Sequence, residues 1–216
     1  MQILVLGMHR SGTSAIARLI NMMGADIGPS HLIGEPAPDN EKGFWERRDV
    51  KELNDNLLEK LGFNWNTIAS FNQEELIKND ELAELRDQAK RIVFHMDTHR
   101  PWIMKDPRLC LTLPFWLPFL EVPVCVFPYR FPIEIAKSLQ ARDSFSLIFS
   151  IALWEKYTIE ALRSTQSLPK ICVSYPNLIS NPVNTVHDLY QNLCEADVQG
   201  LRMPSDREIV AFVENR

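Results

Sequence analysis

The octet Gly7-Met8-His9-Arg10-Ser11-Gly12-Thr13-Ser14 constrains this chain more than any other stretch. It follows an apolar run, Gln2-Ile3-Leu4-Val5-Leu6, and leads into Ala15-Ile16-Ala17-Arg18-Leu19-Ile20-Asn21-Met22-Met23, a helical pattern that stops at Gly24. A buried strand, a glycine-bounded turn and a helix make an anion cradle, because loop amides and the helix N-terminus point at one place. The spacing is that of a P-loop, G-x-x-x-x-G-K-[ST], with Thr13 where the lysine belongs and Arg10 inside the loop instead. A nucleoside-triphosphate enzyme sets that lysine on the β- and γ-phosphates. Its loss argues against ordinary triphosphate chemistry and leaves the anion cradle intact.

A chain of 216 residues buries one sizeable core, so a single domain over 1–216 is the economical expectation. The net charge of -5 argues against a surface that coats nucleic acid while permitting a local basic site. No run reaches the ~18 apolar residues of a membrane span. The sequence opens on a strand rather than a charged and apolar leader, which implies a cytoplasmic protein. Cys110, Cys125, Cys172 and Cys194 show no C-x-x-C spacing, as expected of reduced core cysteines.

Residues 24–49 hold too many glycines and prolines to continue a helix, and so long a loop is usually functional or disordered. Phe44 and Trp45, residue types that favour burial, point to an ordered functional loop. Asp49 is then expected to cap a helix running to Leu61, and 73–99 reads as helical with a break near Asn79-Asp80. A short strand over 101–104 opens straight into Lys105-Asp106-Pro107-Arg108, and 111–120 is an apolar helical segment. Beyond it come a strand over 124–127, helices over 132–142 and 146–163, a strand over 170–174, and helices over 182–193 and 206–213. Short apolar strands alternating with helices imply an α/β fold: a P-loop-like three-layer α/β/α arrangement with a central, mainly parallel sheet.

In such a sheet the ligand lies at the carboxyl ends of the strands. Three polar clusters follow predicted strands: His9-Arg10-Ser11, Lys105-Asp106-Pro107-Arg108 and Tyr129-Arg130. Basic groups from all three would face one crevice, a site for an anion with more than one charged group.

The octet, the Lys105-Asp106-Pro107-Arg108 block and Tyr129-Arg130-Phe131-Pro132-Ile133-Glu134-Ile135-Ala136-Lys137-Ser138-Leu139 together resemble the sulfotransferase family that uses 3′-phosphoadenosine-5′-phosphosulfate (PAPS). The likeness spans nearly the whole chain and ends at Tyr175-Pro176-Asn177-Leu178-Ile179-Ser180-Asn181-Pro182, similar to the family's tyrosine-containing strand exit. The resemblance implies that Arg10, Ser11, Gly12, Thr13 and Ser14 bind the 5′-phosphosulfate, that Arg130 and Ser138 hold the 3′-phosphate, and that Tyr175 contacts the adenine. Lys105 aligns with the lysine near the sulfuryl group, where it would neutralise charge as the bond breaks.

The sequence also departs from the family pattern. Ala15 stands where cytosolic members carry a tryptophan, and the C-terminal Arg-Lys-Gly loop is missing, with Arg202 or Arg207 as replacements. Asp106 occupies the place of the usual catalytic histidine. These differences point away from the cytosolic phenol and steroid branch and leave the bacterial and carbohydrate branches, whose base can be a carboxylate. Glu35, Glu46 and Asp106 are the candidates, and Phe44 and Trp45 would raise the pKa of Glu46 by desolvation. A structural pair between Glu46 and Arg47 is the alternative, and His9 and His31 read as packing or hydrogen-bonding residues. The resulting expectation is PAPS-dependent transfer to a hydroxyl of a carbohydrate or small metabolite, without a metal, a membrane or nucleic acid. A P-loop small-molecule kinase and a non-catalytic nucleotide-binding domain are the alternatives.

Overall fold

The computed structural model describes residues 1–35 and 43–214. In chain order these form β1 (Gln2–Val5), α1 (Thr13–Met22), α2 (Arg48–Lys60), α3 (Glu74–Lys78), α4 (Ala83–Met96), β2 (Trp102–Lys105) and α5 (Leu109–Trp116). There follow β3 (Val124–Tyr129), α6 (Pro132–Asp143), α7 (Leu147–Ser164), β4 (Lys170–Ser174), α8 (Tyr175–Ser180), α9 (Pro182–Glu195) and α10 (Asp206–Glu214). The strands pair in parallel in the order β2-β1-β3-β4.

Period-2 alternation divides the sheet between two cores. Leu4, Trp102, Met104 and Cys125 face one side, against apolar residues of α2, α4, α5, α6 and α7. Ile3, Val5, Ile103, Val124, Val126, Ile171 and Val173 face the other, against α1, α8, α9 and α10. Strands buried on both faces read as continuous apolar runs, and this is why β1 to β3 carry so little polar signal.

Local signals set most helix ends. Proline occupies the first turn of α6 and α9, where its missing N–H costs nothing. The Ser146 hydroxyl accepts from the Phe149 amide to start α7. Asn79 breaks the α3–α4 stretch by accepting from the Glu81 amide. Three expectations shift. Asp49 lies inside the first turn of α2 rather than at its cap, with its carboxylate on the Val50 amide and the Arg47 guanidinium. The 111–120 segment begins earlier, at Leu109, and contains Pro114 within its helix. Residues 175–180 are a short helix because the Ser174 hydroxyl caps them. Cys110 and Cys125 are buried, while Cys172 and Cys194 are exposed. No helix among the described residues is long and apolar enough to cross a membrane.

One buried polar knot ties α2 to the sheet edge. Asn54 donates to the Asp106 carboxylate (2.8 Å) and accepts from the Thr112 hydroxyl (2.8 Å) and the Trp116 indole (2.8 Å). Asn54→Ala removes all three bonds at once and leaves a buried carboxylate oxygen and an indole N–H without them. It should cost about 3–5 kcal/mol of stability, read as a fall in the urea midpoint; a change under about 1 kcal/mol, the worth of one ordinary hydrogen bond, would show that the knot is not needed.

Candidate active site

The turn after β1 is closed by its own groups. The Ser11 amide (3.1 Å) and hydroxyl (2.6 Å) both donate to the Met8 carbonyl, so Ser11 is buried and turned inward. Gly12 then takes φ +98°, and a Cβ there would run into the Tyr175 ring. Only glycine lets the backbone turn left-handed while that ring lies against it. α1 starts at Thr13 with no side-chain cap and no acidic residue in its first turn. The Ala15 and Ile16 amides bond back to the Gly12 carbonyl (3.1 and 3.2 Å), and the positive end of the helix dipole faces the loop.

Two distant segments close on this turn. Arg10 Nε donates to Ser138 Oγ on α6 (2.8 Å), and Arg130 Nη1, just past β3, donates to the Arg10 carbonyl (2.9 Å). The Arg130 guanidinium also lies 5.1 Å from the Tyr175 ring centroid and pairs with Glu134 at 3.2 Å. Arg10, Gly12, Arg130, Ser138 and Tyr175 thus form one contact network.

A second cluster adjoins it through Ser14. Lys105, at the end of β2 and in register with Val5 of β1, is 3% exposed. Its ammonium donates to Ser14 Oγ (3.1 Å), the Phe44 carbonyl (2.9 Å) and Glu46 Oε1 (2.5 Å). Burial raises the Glu46 carboxyl above its ordinary pKa, by more than the Lys105 ammonium and its hydrogen bond draw it down. Trp45 holds this arrangement at φ +54°, an uncommon backbone state for a bulky side chain, with Arg18 4.3 Å from its ring centroid.

Seen against solved structures, the chain is similar to the sulfotransferase STF9 of Mycobacterium avium, at 14% identity and a TM-score of 0.54, over 99% of this chain and 67% of that one. It is also similar to a sulfotransferase domain from the curacin biosynthetic pathway (14%, 0.54, 97% of this chain and 76% of that one). A third is the sulfotransferase domain of the Synechococcus PCC 7002 olefin synthase (15%, 0.55, 90% and 73%). The fold is that of the sulfotransferases. No protein-family model and no curated protein matches the chain.

Within this sulfotransferase fold the remaining candidates separate by environment. Asp106 is wholly buried, and its carboxylate is taken by Asn54 Nδ2, the Arg108 amide (3.2 Å) and Arg108 Nη1 (2.9 Å). It is therefore not presented to the rim as a base would be. Glu35 is exposed, one residue past the bond from the Gly34 amide to the Glu46 carbonyl (3.0 Å). Of the stretch 40–46, Asn40, Glu41 and Lys42 lie outside the described residues. Glu46 is not paired to Arg47, whose guanidinium is held by Asp49. Arg202 is anchored by its amide on the Met23 carbonyl, at the end of α1 opposite the anion turn. A ten-residue helix is about 15 Å long, so Arg202 does not replace the missing C-terminal loop; Arg207 is exposed on α10.

Sequence reasoning passed over an aromatic flank. His9 lies against Trp65 with ring centroids 4.7 Å apart and edge-on to Tyr157 at 6.3 Å. Burial, and after it the charges of Arg108, Arg142, Lys105 and Arg10, push the His9 imidazole well below its ordinary pKa and keep it neutral. Only the unusual placement of an imidazole inside an anion turn hinted at this.

Proposed function

We propose that this chain transfers a sulfuryl group from PAPS to a hydroxyl of a small-molecule acceptor. What carries the reading is the meeting of Arg10 and Arg130, 120 residues apart, in one hydrogen-bonded network with Ser138. A donor phosphorylated at both ends of its ribose needs two cationic turns held at a fixed separation, and this network supplies them. The tight left-handed turn at Gly12 fits such a donor, because it brings backbone amides to a phosphate without an intervening side chain.

In this reading Arg10 and the amides at the start of α1 hold the 5′-phosphosulfate. Arg130 and Ser138 take the 3′-phosphate, and Tyr175 backs the nucleoside. Ser11 shapes the loop rather than reaching the donor with its side chain. Lys105 exchanges one of its three contacts for the sulfuryl and bridging oxygens, where negative charge grows as the bond breaks. The acceptor oxygen bonds to sulfur, the bond from sulfur to the bridging oxygen breaks, and the hydroxyl proton passes to Glu46. Adenosine 3′,5′-bisphosphate leaves. Glu46 suits this task because burial moves its pKa toward neutrality. Asp106 acts as a positioning residue that holds the turn after β2 through Asn54 and Arg108.

The test is transfer of radiolabelled sulfate from PAPS in the presence of EDTA, alongside thermal stabilisation by adenosine 3′,5′-bisphosphate. At 100 times its dissociation constant the nucleotide should add about 2.7 kcal/mol. Arg130→Ala removes a forked, charge-assisted phosphate contact and should weaken binding about 100-fold, which leaves ~0.4 kcal/mol at the same concentration. Undiminished stabilisation in that variant would place the 3′-phosphate elsewhere. Transfer from ATP that EDTA abolishes would make the protein a kinase, and nucleotide binding without any transfer would make it a binding domain.

A further inference from the structure

Helix α7 is apolar on both of its sides. Inward, it buries Ser150, Leu153, Tyr157, Glu160 and Ala161. On the opposite side Ile148 is 83% exposed and Ile151, Ile159 and Leu162 are 36–48% exposed, with Ala152 and Glu155 exposed between them. At 3.6 residues per turn these positions form one stripe, about 21 Å long from Ile148 to Leu162. Single exposed apolar residues are ordinary on a protein surface, whereas a continuous row of them marks a contact surface.

The spacing of the stripe says what covers it. Ile151 and Ile159 stand four residues to either side of Glu155, and Ile148 and Leu162 stand seven. Two copies packed antiparallel about a two-fold axis at Glu155 set Ile148 against the partner's Leu162 and Ile151 against the partner's Ile159, each pair twice. A two-fold interface requires a patch that matches itself in this way, and an unrelated partner makes no such demand on the sequence. Glu155 then fixes the register. Sliding one helix by a turn sets its carboxylate against an isoleucine and takes a charge out of water unmatched. Sliding by two turns brings it to the partner's Arg163, but Arg163 is already paired with Glu160 at 3.1 Å, and Ile148 and Ile151 lose their apolar partners.

We propose that the outer face of α7 is the interface of a two-fold symmetric homodimer, in which two copies of this chain pack antiparallel with Glu155 on the axis. The inference goes beyond the sulfotransferase reading and does not depend on it, because no residue of the stripe belongs to the network of Arg10, Arg130 and Ser138 or to the Lys105 cluster. The four apolar side chains expose on the order of 400 Å² together, and with the surface between them a pair of copies buries about 1,000 Å², the lower limit for a specific interface. Two Glu155 carboxylates meeting at the centre weaken the contact further, as like charges across an interface do. The dimer is therefore weak and reversible.

Sedimentation equilibrium of the full chain tests this. The wild type should show a monomer–dimer equilibrium with a dissociation constant on the order of 10 μM, as expected of so small an interface. Ile159→Asp, and independently Ile148→Lys at the most exposed position, should weaken it about 100-fold. Glu155→Gln should tighten it about 10-fold by removing the like-charge pair. The register is read by oxidative cross-linking after Cys172 and Cys194, the exposed cysteines, are changed to serine. In that background Glu155→Cys should give a disulfide-linked dimer. Ile148→Cys should not, since its two copies lie about 21 Å apart along the helix axes and a disulfide needs Cα atoms within about 7 Å. A wild type that stays monomeric at ten times that concentration, a dimer indifferent to both apolar-to-charged substitutions, or cross-linking through Ile148→Cys or Ile159→Cys in place of Glu155→Cys would each overturn the proposal. Failure of the nucleotide to stabilise a protein that still dimerises would sink the sulfotransferase reading and leave the interface standing.

Discussion

Exchanging Glu46 for glutamine is expected to lower kcat by about 10²–10⁴-fold, the usual contribution of a positioned base, with the KM for PAPS little changed. The glutamine keeps the shape and can still face Lys105 through its carbonyl oxygen, so the fold is retained while the proton acceptor is lost. The pH profile separates this role from a structural one. A base must be deprotonated, so wild-type kcat/KM should fall as pH drops through the raised pKa of Glu46, and Glu46→Gln should lack that acid limb. An unaltered limb in the variant would assign it to another group. The same raised pKa has a consequence for stability: its contribution is full below the unfolded-state value and is lost as pH rises through the folded-state value. Glu46→Gln should therefore gain stability relative to the wild type on going from acid to neutral pH.

Lys105→Ala is expected to act on both rate and stability. The lost charge at the breaking bond should reduce kcat about 10²–10³-fold. The Glu46 carboxylate, with its side chain 11% exposed, would then be buried without its ion-pair partner, a defect that costs about 3–5 kcal/mol. Because Lys105 is what draws the Glu46 pKa down, its removal lets the pKa rise further. The stability gap between Lys105→Ala and the wild type should accordingly be small at acid pH, where Glu46 is protonated in both, and widen toward pH 8. Urea midpoints at the two pH values measure it. Adding Glu46→Gln to Lys105→Ala should recover most of the stability and none of the turnover, and recovery of turnover would remove Lys105 from the chemistry.

Much of the fold was legible because its signals are local. Gly24 ends α1, Ser146 starts α7, Pro132 and Pro182 open α6 and α9, and each does so through bonds within a few residues of itself. The four strands were found for the same reason, as short apolar runs flanked by turns. Where local reading slipped, a competing local bond explains it: the Ser174 hydroxyl caps a short helix at the strand exit where none was read, and the Asp49 carboxylate serves Arg47 from inside the turn.

The choice among three carboxylates was of another kind. Glu35, Glu46 and Asp106 have similar sequence credentials. Burial against Lys105 across 59 residues, the Asn54 bond to Asp106 across 52, and exposure at Glu35 separate them. Arg202 shows the converse, a plausible cation ruled out by one backbone bond at the wrong end of a helix.

By itself the sequence determined an α/β chain with an anion turn at its start and basic residues after later strands, because strand period, helix caps and glycine turns act over a few residues. Only the tertiary structure decided that the strands order as β2-β1-β3-β4, that Arg10 meets Ser138 and Arg130, and that His9 lies against Trp65. Those outcomes depend on how two cores pack on opposite faces of one sheet. That packing is a sum over residues far apart in the chain, and no short window of sequence contains it.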